Sequence, residues 1–451
     1  MSTNFIPVDR NTIYLLPPSI QDWLPEDHLA RFVVDIVSQL NLRSITEQYG
    51  GRGSKAYHPR MLLALLFYGY ATGVFSSRKL EKATYDSVAF RFIAANHHPD
   101  HDTIAAFRKR FLDDLKPLFV QILIIAKEMG LLKLGKVSLD GTKVKANASK
   151  HRALSWGHAC KIEKQLQAEV AELMRLAEEA DSADIPDEMN IPEELSRRQD
   201  RLNAIAEAKK KIEQRADERY SREVEEYERK VDARKARAEK TGKKPRGKDP
   251  KPPTAGPRDK DQVNLTDEES RIMPSAEGFK QAYNAQAAVD LDTMCVISAH
   301  VTQSSNDKRE VYPTLKNLDE LPEQLGKVDT MLADTGYFSE VNVNQCIQAE
   351  VTPLFSTGRQ KHNQPLQARF TKPESLPDDA DHVETMKHHL KTPEGKRLYA
   401  KRKSTVEPVF GIIKQVMGFR QFLLRGYEAV SGEWTLVSIA WNLKRMFALN
   451  G

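Results

Sequence analysis

The sequence predicts an α/β protein, a sheet layered with helices, preceded by an all-helical segment and interrupted by a charged helical insertion. Three observations carry this. No convincing strand pattern precedes residue 136, whereas apolar residues recur at helical spacing through residues 27–133. From Lys136 and again from Gln281 the apolar period drops to two, and strands then alternate with helices. Between these regions, residues 156–240 combine dense charge with apolar positions at coiled-coil steps.

In chain order, residues 1–20 read as an irregular arm ending in Pro17-Pro18. Leu29, Phe32, Val33, Ile36 and Leu40 mark one helix face, with Asp27 as its expected N-cap. Pro59 suits the start of a second helix carrying Met61, Leu62, Leu65, Leu66 and Tyr68. Short helices over Ser76–Tyr85, Val88–Ala95 and Asp102–Leu112 resemble a helix-turn-helix arrangement, the last ending in Arg108, Lys109 and Arg110. These three cations suit DNA contact, and a solvated face of a helical bundle explains them equally well. Residues 113–133 close the helical segment. The cluster His97, His98 and His101 lacks an acid or cysteine partner at metal-ligand spacing and reads as a polar loop.

Lys136–Ala146 alternates as a strand, although Asp140-Gly141 is also a favoured hairpin-turn pair. In the insertion, Leu202, Ile205, Ile212 and Ala216 form a seam that Lys209 interrupts. Ile162, Leu166, Val170, Leu173 and Leu176 form an earlier stripe, and Pro186 and Pro192 punctuate the gap, so an antiparallel helical hairpin is expected. Thr241–Lys260 is a Pro/Gly/Lys-rich linker. Strands are expected from Gln281, over Met294–Thr302, Lys327–Leu332 and Glu350–Phe355, with a helix near Lys308–Leu318. Asp334 then falls at the carboxyl end of a strand, where sites in such sheets gather, or in an Asx turn before a helix. Asn306-Asp307 reads first as a loop or helix start, with a group supporting the site as the alternative.

Composition narrows the function classes. A chain of 451 residues with 40% hydrophobic and 29% charged residues has room for more than one domain and a sizeable core. Cys160, Cys295 and Cys346 are scattered without Cys-x-x-Cys spacing, which suggests neither a zinc site nor a disulfide framework and fits a reducing cytoplasm. The first 20 residues lack the basic and apolar regions of a signal peptide. The most apolar run, Met61–Val74, is too short to span a bilayer. With no membrane element expected, the basic balance points to nucleic acid.

That balance is concentrated in residues 386–426, which hold ten Lys/Arg against Glu394 and Glu407 and carry +8, more than the +5 of the whole chain. Such a strip is an electrostatic footprint for a polyanion, with binding that weakens as salt rises. Glu407 heads an apolar helical pattern of Val406, Val409, Phe410, Ile413 and Val416. A lone carboxylate among cations is a candidate metal ligand, whereas Ser404-Thr-Val-Glu407 also fits a capping box. Lys414 lies seven residues on and shares a helix face with Glu407. Two acids from strands, Asp140 and Asp334, and Glu407 from a helix could together hold two Mg²⁺ or Mn²⁺ ions for in-line displacement at a phosphodiester.

The segments DHLARFVVDIV, YHPRMLLALLFYGYATGVFSSRKLEKA, VSLDGTKVKANASKH, GFKQAYNAQAAVD, ADTGYF and VEPVFGIIKQVMGFRQFLLRG together make the chain resemble the DDE transposases of bacterial insertion sequences. The resemblance implies a ribonuclease H-like mixed sheet flanked by helices, with Asp140, Asp334 and Glu407 as the metal-binding catalytic triad. One division of the family carries a Tyr-Arg-Glu-Lys signature, onto which Tyr399, Arg402, Glu407 and Lys414 map. Four residues separate Arg402 from Glu407 where the signature has three, so Lys403 occupies the expected spacing. By this resemblance Tyr399, Arg402 or Lys403, and Lys414 contact phosphates or a displaced nucleotide. Arg420 and Arg425 extend the DNA-binding strip. The implied partners are element terminal inverted repeats, target DNA and a second copy of the chain.

The expected organisation is a helical DNA-binding domain over 1–133, the first part of the catalytic core over 134–155, a helical insertion and linker over 156–260, and the rest of the core over 261–451. The alternative is a non-catalytic DNA-binding protein derived from such an enzyme. A coiled-coil scaffold accounts for the insertion but leaves the acids and the basic strip unexplained.

Overall fold

Helices fill the first part of the chain because each presents a continuous apolar stripe and none has a long β-branched run. The computed structural model describes residues 19–50, 55–149, 152–180, 191–242, 247–275, 278–358, 375–377 and 379–451. The arm through Pro17-Pro18 and the Pro186 turn lie outside these residues. The chain forms two compact units, Met1–Ala146 with Met273–Gly451, and Asn147–Ile272.

Among the described residues of the first unit, seven α-helices precede the sheet: α1 (Leu29–Gln39), α2 (Arg43–Thr46), α3 (Pro59–Thr72), α4 (Ser77–Asp86), α5 (Val88–Ile93), α6 (His101–Arg110) and α7 (Leu115–Glu128). Two starts differ by one or two positions from expectation. His28 rather than Asp27 caps α1, its Nδ1 accepting from Ala30 N, and Asp100 rather than Asp102 caps α6, accepting from Thr103 N. Helix α3 starts with Pro59 at its first turn and is buried from Leu62 to Ala71. It is apolar on every side because other helices surround it. A Cβ at Gly69 would lie 2.5 Å from Leu80 Cδ2, so the glycine lets α4 approach α3 closely.

The period-two segments form a six-stranded sheet. Its strands are β1 (Lys136–Lys145), β4 (Arg271–Ser275), β5 (Gly278–Asp290), β6 (Val296–Thr302), β7 (Thr330–Ala333) and β8 (Thr352–Phe355). Strand β1 pairs antiparallel with β5 and parallel with β7, β5 pairs antiparallel with β6, and β7 pairs parallel with β8. An antiparallel half beside a parallel half makes a mixed sheet, consistent with the ribonuclease H-like expectation. Asp140-Gly141 is therefore no hairpin turn; β1 runs straight through it to Lys145. Helices α10 (Val311–Asp319), α11 (Glu340–Gln348), α12 (His382–Lys391), α13 (Pro393–Ala400), α14 (Val406–Gln415) and α15 (Tyr427–Asn450) complete this unit. Helix α14 packs on β1 and β5, and α15 packs on β6, α3 and α7, so the helical segment and the sheet share one core.

The second unit holds the expected hairpin of α8 (Trp156–Ala180) and α9 (Ile191–Thr241). Glu163 pairs with Lys209 and Glu169 with Arg198, so one helix runs up as the other runs down. Leu166, Ile205 and Ile212 are buried between them, with Ile162 and Leu202 packed against the cluster. Lys209, the polar residue in the seam, places its ammonium 2.7 Å from Glu163 and over the Trp156 ring. A short ladder of β2 (Ala153–Ser155) and β3 (Gln262–Asn264) closes the unit. Three-residue strands leave too short a pattern to read from sequence.

Candidate active site

Asp140 and Asp334 meet because their strands are neighbours. The parallel ladder of β1 and β7 ends at Ser138 opposite Leu332, and each acid lies two residues further along its own strand direction. Asp334 follows β7 directly and caps a single 3-10 turn, Thr335–Tyr337, its Oδ1 accepting from Gly336 N at 2.7 Å. The Asx turn and the strand-end position are thus one arrangement: the turn fixes the carboxylate at the rim of the sheet.

Glu407 arrives from α14. Thr405 precedes the helix as N-cap but its hydroxyl donates back to Lys401 O rather than capping, and Ser404 donates to the same oxygen inside a 3-10 turn, Lys401–Ser404. The capping box read from sequence does not form. Pro408 sits in the first turn of α14, where a missing N–H costs little. Freed from capping, Glu407 Oε1 accepts from Arg402 Nη2 at 2.8 Å.

Arg402 joins the acids. Its Nη1 lies 3.3 Å from Asp140 Oδ2 while Nη2 holds Glu407, and its side chain is only 11% exposed. Its Nε is buried and has no hydrogen-bond partner among the described residues. Lys403, at the spacing the resemblance favoured, is exposed. Tyr399 on α13 donates its hydroxyl to Ala333 O at 3.3 Å, one residue before Asp334, and burial raises its pKa. Lys414, two turns beyond Glu407, donates to Thr142 Oγ1 and, at 3.0 Å, to Lys143 O on β1. Burial and the neighbouring ammonium groups of Lys143 and Lys280 lower its pKa.

The electrostatics are lopsided. Burial pushes Asp140 up to about 6, against donation from Gly141 N and the Arg402 charge, and the carboxylates of Asp334 and Asp307 add to the rise. One guanidinium therefore offsets only part of the negative charge gathered there. Among the described residues no group of three His, Cys, Asp or Glu side chains forms a ready metal shell. Arg402 links Asp140 to Glu407, and the Asp334 carboxylate acts on Asp140 from the neighbouring strand end. The donors themselves fit a hard divalent ion: they are carboxylate oxygens, one of them held at a charge cost that a cation would relieve.

The remaining predicted contacts divide. Arg420 and Arg425 are exposed, and Arg420 Nε donates to Lys414 O at the end of α14. Lys109 and Arg110 are exposed on α6, with Arg110 donating to Gln48 O. Arg108 is not on that surface: it is buried and donates to Tyr70 Oη and Phe75 O, both at 3.0 Å. Its place on the inner side of α6 removes it from the proposed DNA contacts. His98 stacks on Tyr85 and His101 pairs with Glu81, so the histidine cluster is held by local contacts.

Sequence reasoning gave no role to Lys143, Asn284, Gln286 or Tyr337, which surround Asp307 behind Gly141. Asp307 Oδ1 accepts from Asn284 Nδ2 (2.6 Å), Gln286 Nε2 (2.8 Å) and Lys143 Nζ (3.2 Å). A Cβ at Gly141 would stand 2.1 Å from Gln286 Nε2 and 2.9 Å from Asp307 Oδ1. The glycine after Asp140 is thus a point of close approach. The polar residues within the QAYNAQAAVD strand were the available signal, since a buried strand with Asn and Gln needs internal partners.

Residues 225–443 match a family model described as Transposase DDE domain, and residues 18–110 match one described as Transposase domain (DUF772). Asp334 and Glu407 fall inside the first match and Asp140 outside both. No curated protein and no solved structure matches the chain. No helix among the described residues is long and apolar enough to cross a membrane.

Proposed function

This chain belongs to the insertion-sequence DDE transposases, and we propose that it cuts DNA at the terminal inverted repeats of its element and joins the freed 3′ ends to target DNA. Asp140, Asp334 and Glu407 are the proposed catalytic acids. The observation that carries this reading is the single guanidinium of Arg402 bonded to both Asp140 and Glu407, beside the strand end that presents Asp334.

The three acids would hold two Mg²⁺ or Mn²⁺ ions, which supply Lewis-acid activation of the attacking oxygen and stabilisation of the leaving one. The chain's own residues do the positioning. Arg402 balances part of the acids' charge until DNA arrives, and a phosphate then offers its planar fork a bidentate partner. Tyr399 packs against the carbonyl preceding Asp334 and so bounds the site on that side. Lys414 is pinned to β1 at Thr142, two residues past Asp140, where its ammonium can neutralise a phosphate next to the scissile bond. Lys403, Arg420 and Arg425, with Lys109 and Arg110, supply outlying backbone contacts that fix register and affinity. Pairing two element ends calls for a second copy of the chain, acting where the DNA lies, in the cytoplasm.

The direct test incubates the protein with end-containing DNA and Mg²⁺ and scores strand cleavage. Asp140→Ala and Glu407→Ala should each lose at least about 1000-fold, the scale expected when the groups that stabilise transition-state charge are removed. Variants that cleave as well as the parent overturn the assignment of these acids. DNA binding by the parent without metal-dependent nicking would favour the non-catalytic alternative.

Lys414→Ala should lower turnover about 10-fold or more while weakening DNA affinity only a few-fold, because it acts beside the reacting phosphate rather than along the strip. Single-turnover rates at saturating DNA, set against binding titrations, measure the split. A loss confined to affinity contradicts it.

A further inference from the structure

We infer that Asp307 is a positioning residue for the candidate active site, acting through Gln286 and Tyr337 on the turn that presents Asp334 and through Gly141 on the strand that presents Asp140. The inference rests on the metal-binding reading proposed above.

Three buried polar side chains lie behind the two strand-borne acids. Asn284, Gln286 and Tyr337 are each 0% exposed, so their hydrogen-bonding groups need partners inside the protein. Asp307 supplies the acceptor for the two amide groups, and Gln286 the acceptor for Tyr337. Asp307 Oδ1 takes one amide proton from Asn284 and one from Gln286, and Lys143 brings a compensating charge. Gln286, with its amide nitrogen so committed, presents Oε1 to the Tyr337 hydroxyl. Tyr337 closes the 3-10 turn whose N-cap is Asp334. A continuous chain of bonds thus runs from Lys143 on β1, through Asp307 and Gln286, to the turn that carries the second acid.

Two further contacts make the chain stiff. Asn342 Nδ2 donates to Lys308 O at 2.7 Å and to Tyr337 O at 2.6 Å, tying the 3-10 turn Asp307–Arg309 to the turn Thr335–Tyr337. Trp434 Nε1 donates to Gln286 O at 2.9 Å from α15. The carboxylates of Asp307, Asp140 and Asp334 all act on the Tyr337 phenol, which burial already holds well above its ordinary pKa. The phenol therefore stays protonated and donates to Gln286. Asp307 acts through its three donors, all of them on Oδ1. Its effect is on where Asp140 and Asp334 stand, and hard-ion sites depend on such supporting bonds, whose loss costs about 10-fold or more in metal affinity.

The test measures Mn²⁺ binding by the full chain in the absence of DNA, by titration calorimetry, with thermal unfolding followed in parallel. The parent should bind Mn²⁺ and Asp140→Asn should bind it at least about 10-fold more weakly. Asp307→Ala should weaken binding about 10-fold. Asp307→Asn, which keeps an oxygen for the two amides, should restore most of it. Tyr337→Phe, which preserves the ring and its packing, should weaken binding in the same direction. The Asp307→Ala/Tyr337→Phe pair should be no worse than Asp307→Ala alone, as residues of one chain are not additive. If Asp307→Ala does not fold, Tyr337→Phe decides: unchanged Mn²⁺ affinity in that variant overturns the inference. A lowered unfolding temperature with unchanged affinity in Asp307→Ala also overturns it. Should Asp140→Asn bind Mn²⁺ as the parent does, the metal-binding reading fails and this inference falls with it. A weakened Asp140→Asn beside a silent Asp307→Ala sinks only the inference.

Discussion

Replacing Asp140 with Asn is expected to make the ion-free protein more stable above pH 6 while removing its strand-cleavage activity. Burial lifts the Asp140 carboxyl from 3.8 to about 6. A folded pKa above the unfolded one means that ionising the group costs the folded state. Its stabilising contribution is complete below the unfolded pKa and lost as pH rises through about 6. At pH 7.5 the parent therefore carries a desolvated charge that Asn does not. The gain should be about 1–3 kcal/mol, the upper end being the full shift at 1.36 kcal/mol per pKa unit. Arg402 keeps Glu407 as a partner in the variant, so no buried cation is stranded. Urea unfolding in chelator at pH 7.5 and pH 4 measures the effect, and the advantage should shrink toward zero at the lower pH. A destabilised variant at pH 7.5 would show that Asp140 is held for structural reasons and not against its electrostatic preference. A stability gain coupled to loss of cleavage is the signature of a carboxylate kept for function.

Glu433→Ala is expected to destabilise the protein by about 3–5 kcal/mol, the range for breaking a buried charged network from one side. Glu433 lies on α15, is 0% exposed and has its pKa raised by burial. Its Oε1 accepts from Tyr70 Oη at 2.8 Å, and its Oε2 accepts from Leu423 N at 2.9 Å and Leu424 N at 3.0 Å. Arg108 donates to the same Tyr70 hydroxyl at 3.0 Å. Alanine would strand two backbone N–H groups and leave a buried guanidinium without its anionic counterpart. Glu433→Gln, which retains one carbonyl oxygen, should cost less, about 1–3 kcal/mol. Denaturant midpoints with unchanged slopes would measure both, and a loss below about 1 kcal/mol for the alanine variant would contradict the account. The network joins α3, α6, α15 and the loop carrying Arg420 and Arg425, so it also sets where that part of the basic strip stands.

The split between what was legible and what was not follows a physical line. Periodicity made the helices of the first segment, the strand at Lys136, the seam of the helical hairpin and the strand ahead of Asp334 readable, because burial of one face imposes a repeat on sequence. The +8 strip is a count, and it survives any fold. Where a helix or strand begins was less readable, as the caps at His28 and Asp100 show, since neighbouring donors and acceptors compete for the same backbone groups.

What only the tertiary structure decided concerns partners far apart in the chain. Ser404-Thr-Val-Glu407 carries the letters of a capping box, yet Glu407 turns to Arg402, whose charge outweighs a surface cap. Arg108 shares its run of three cations with Lys109 and Arg110, but the helix turns it inward onto Tyr70 and Glu433. Asp140-Gly141 spells a hairpin turn, and the glycine instead makes room for Gln286 and Asp307 against a continuous strand. A sequence records which residues can be buried and which carry charge. Which acid meets which cation is fixed only when strands 194 residues apart come into register, because ion pairs and polar contacts act over a few ångströms of space and not along the chain.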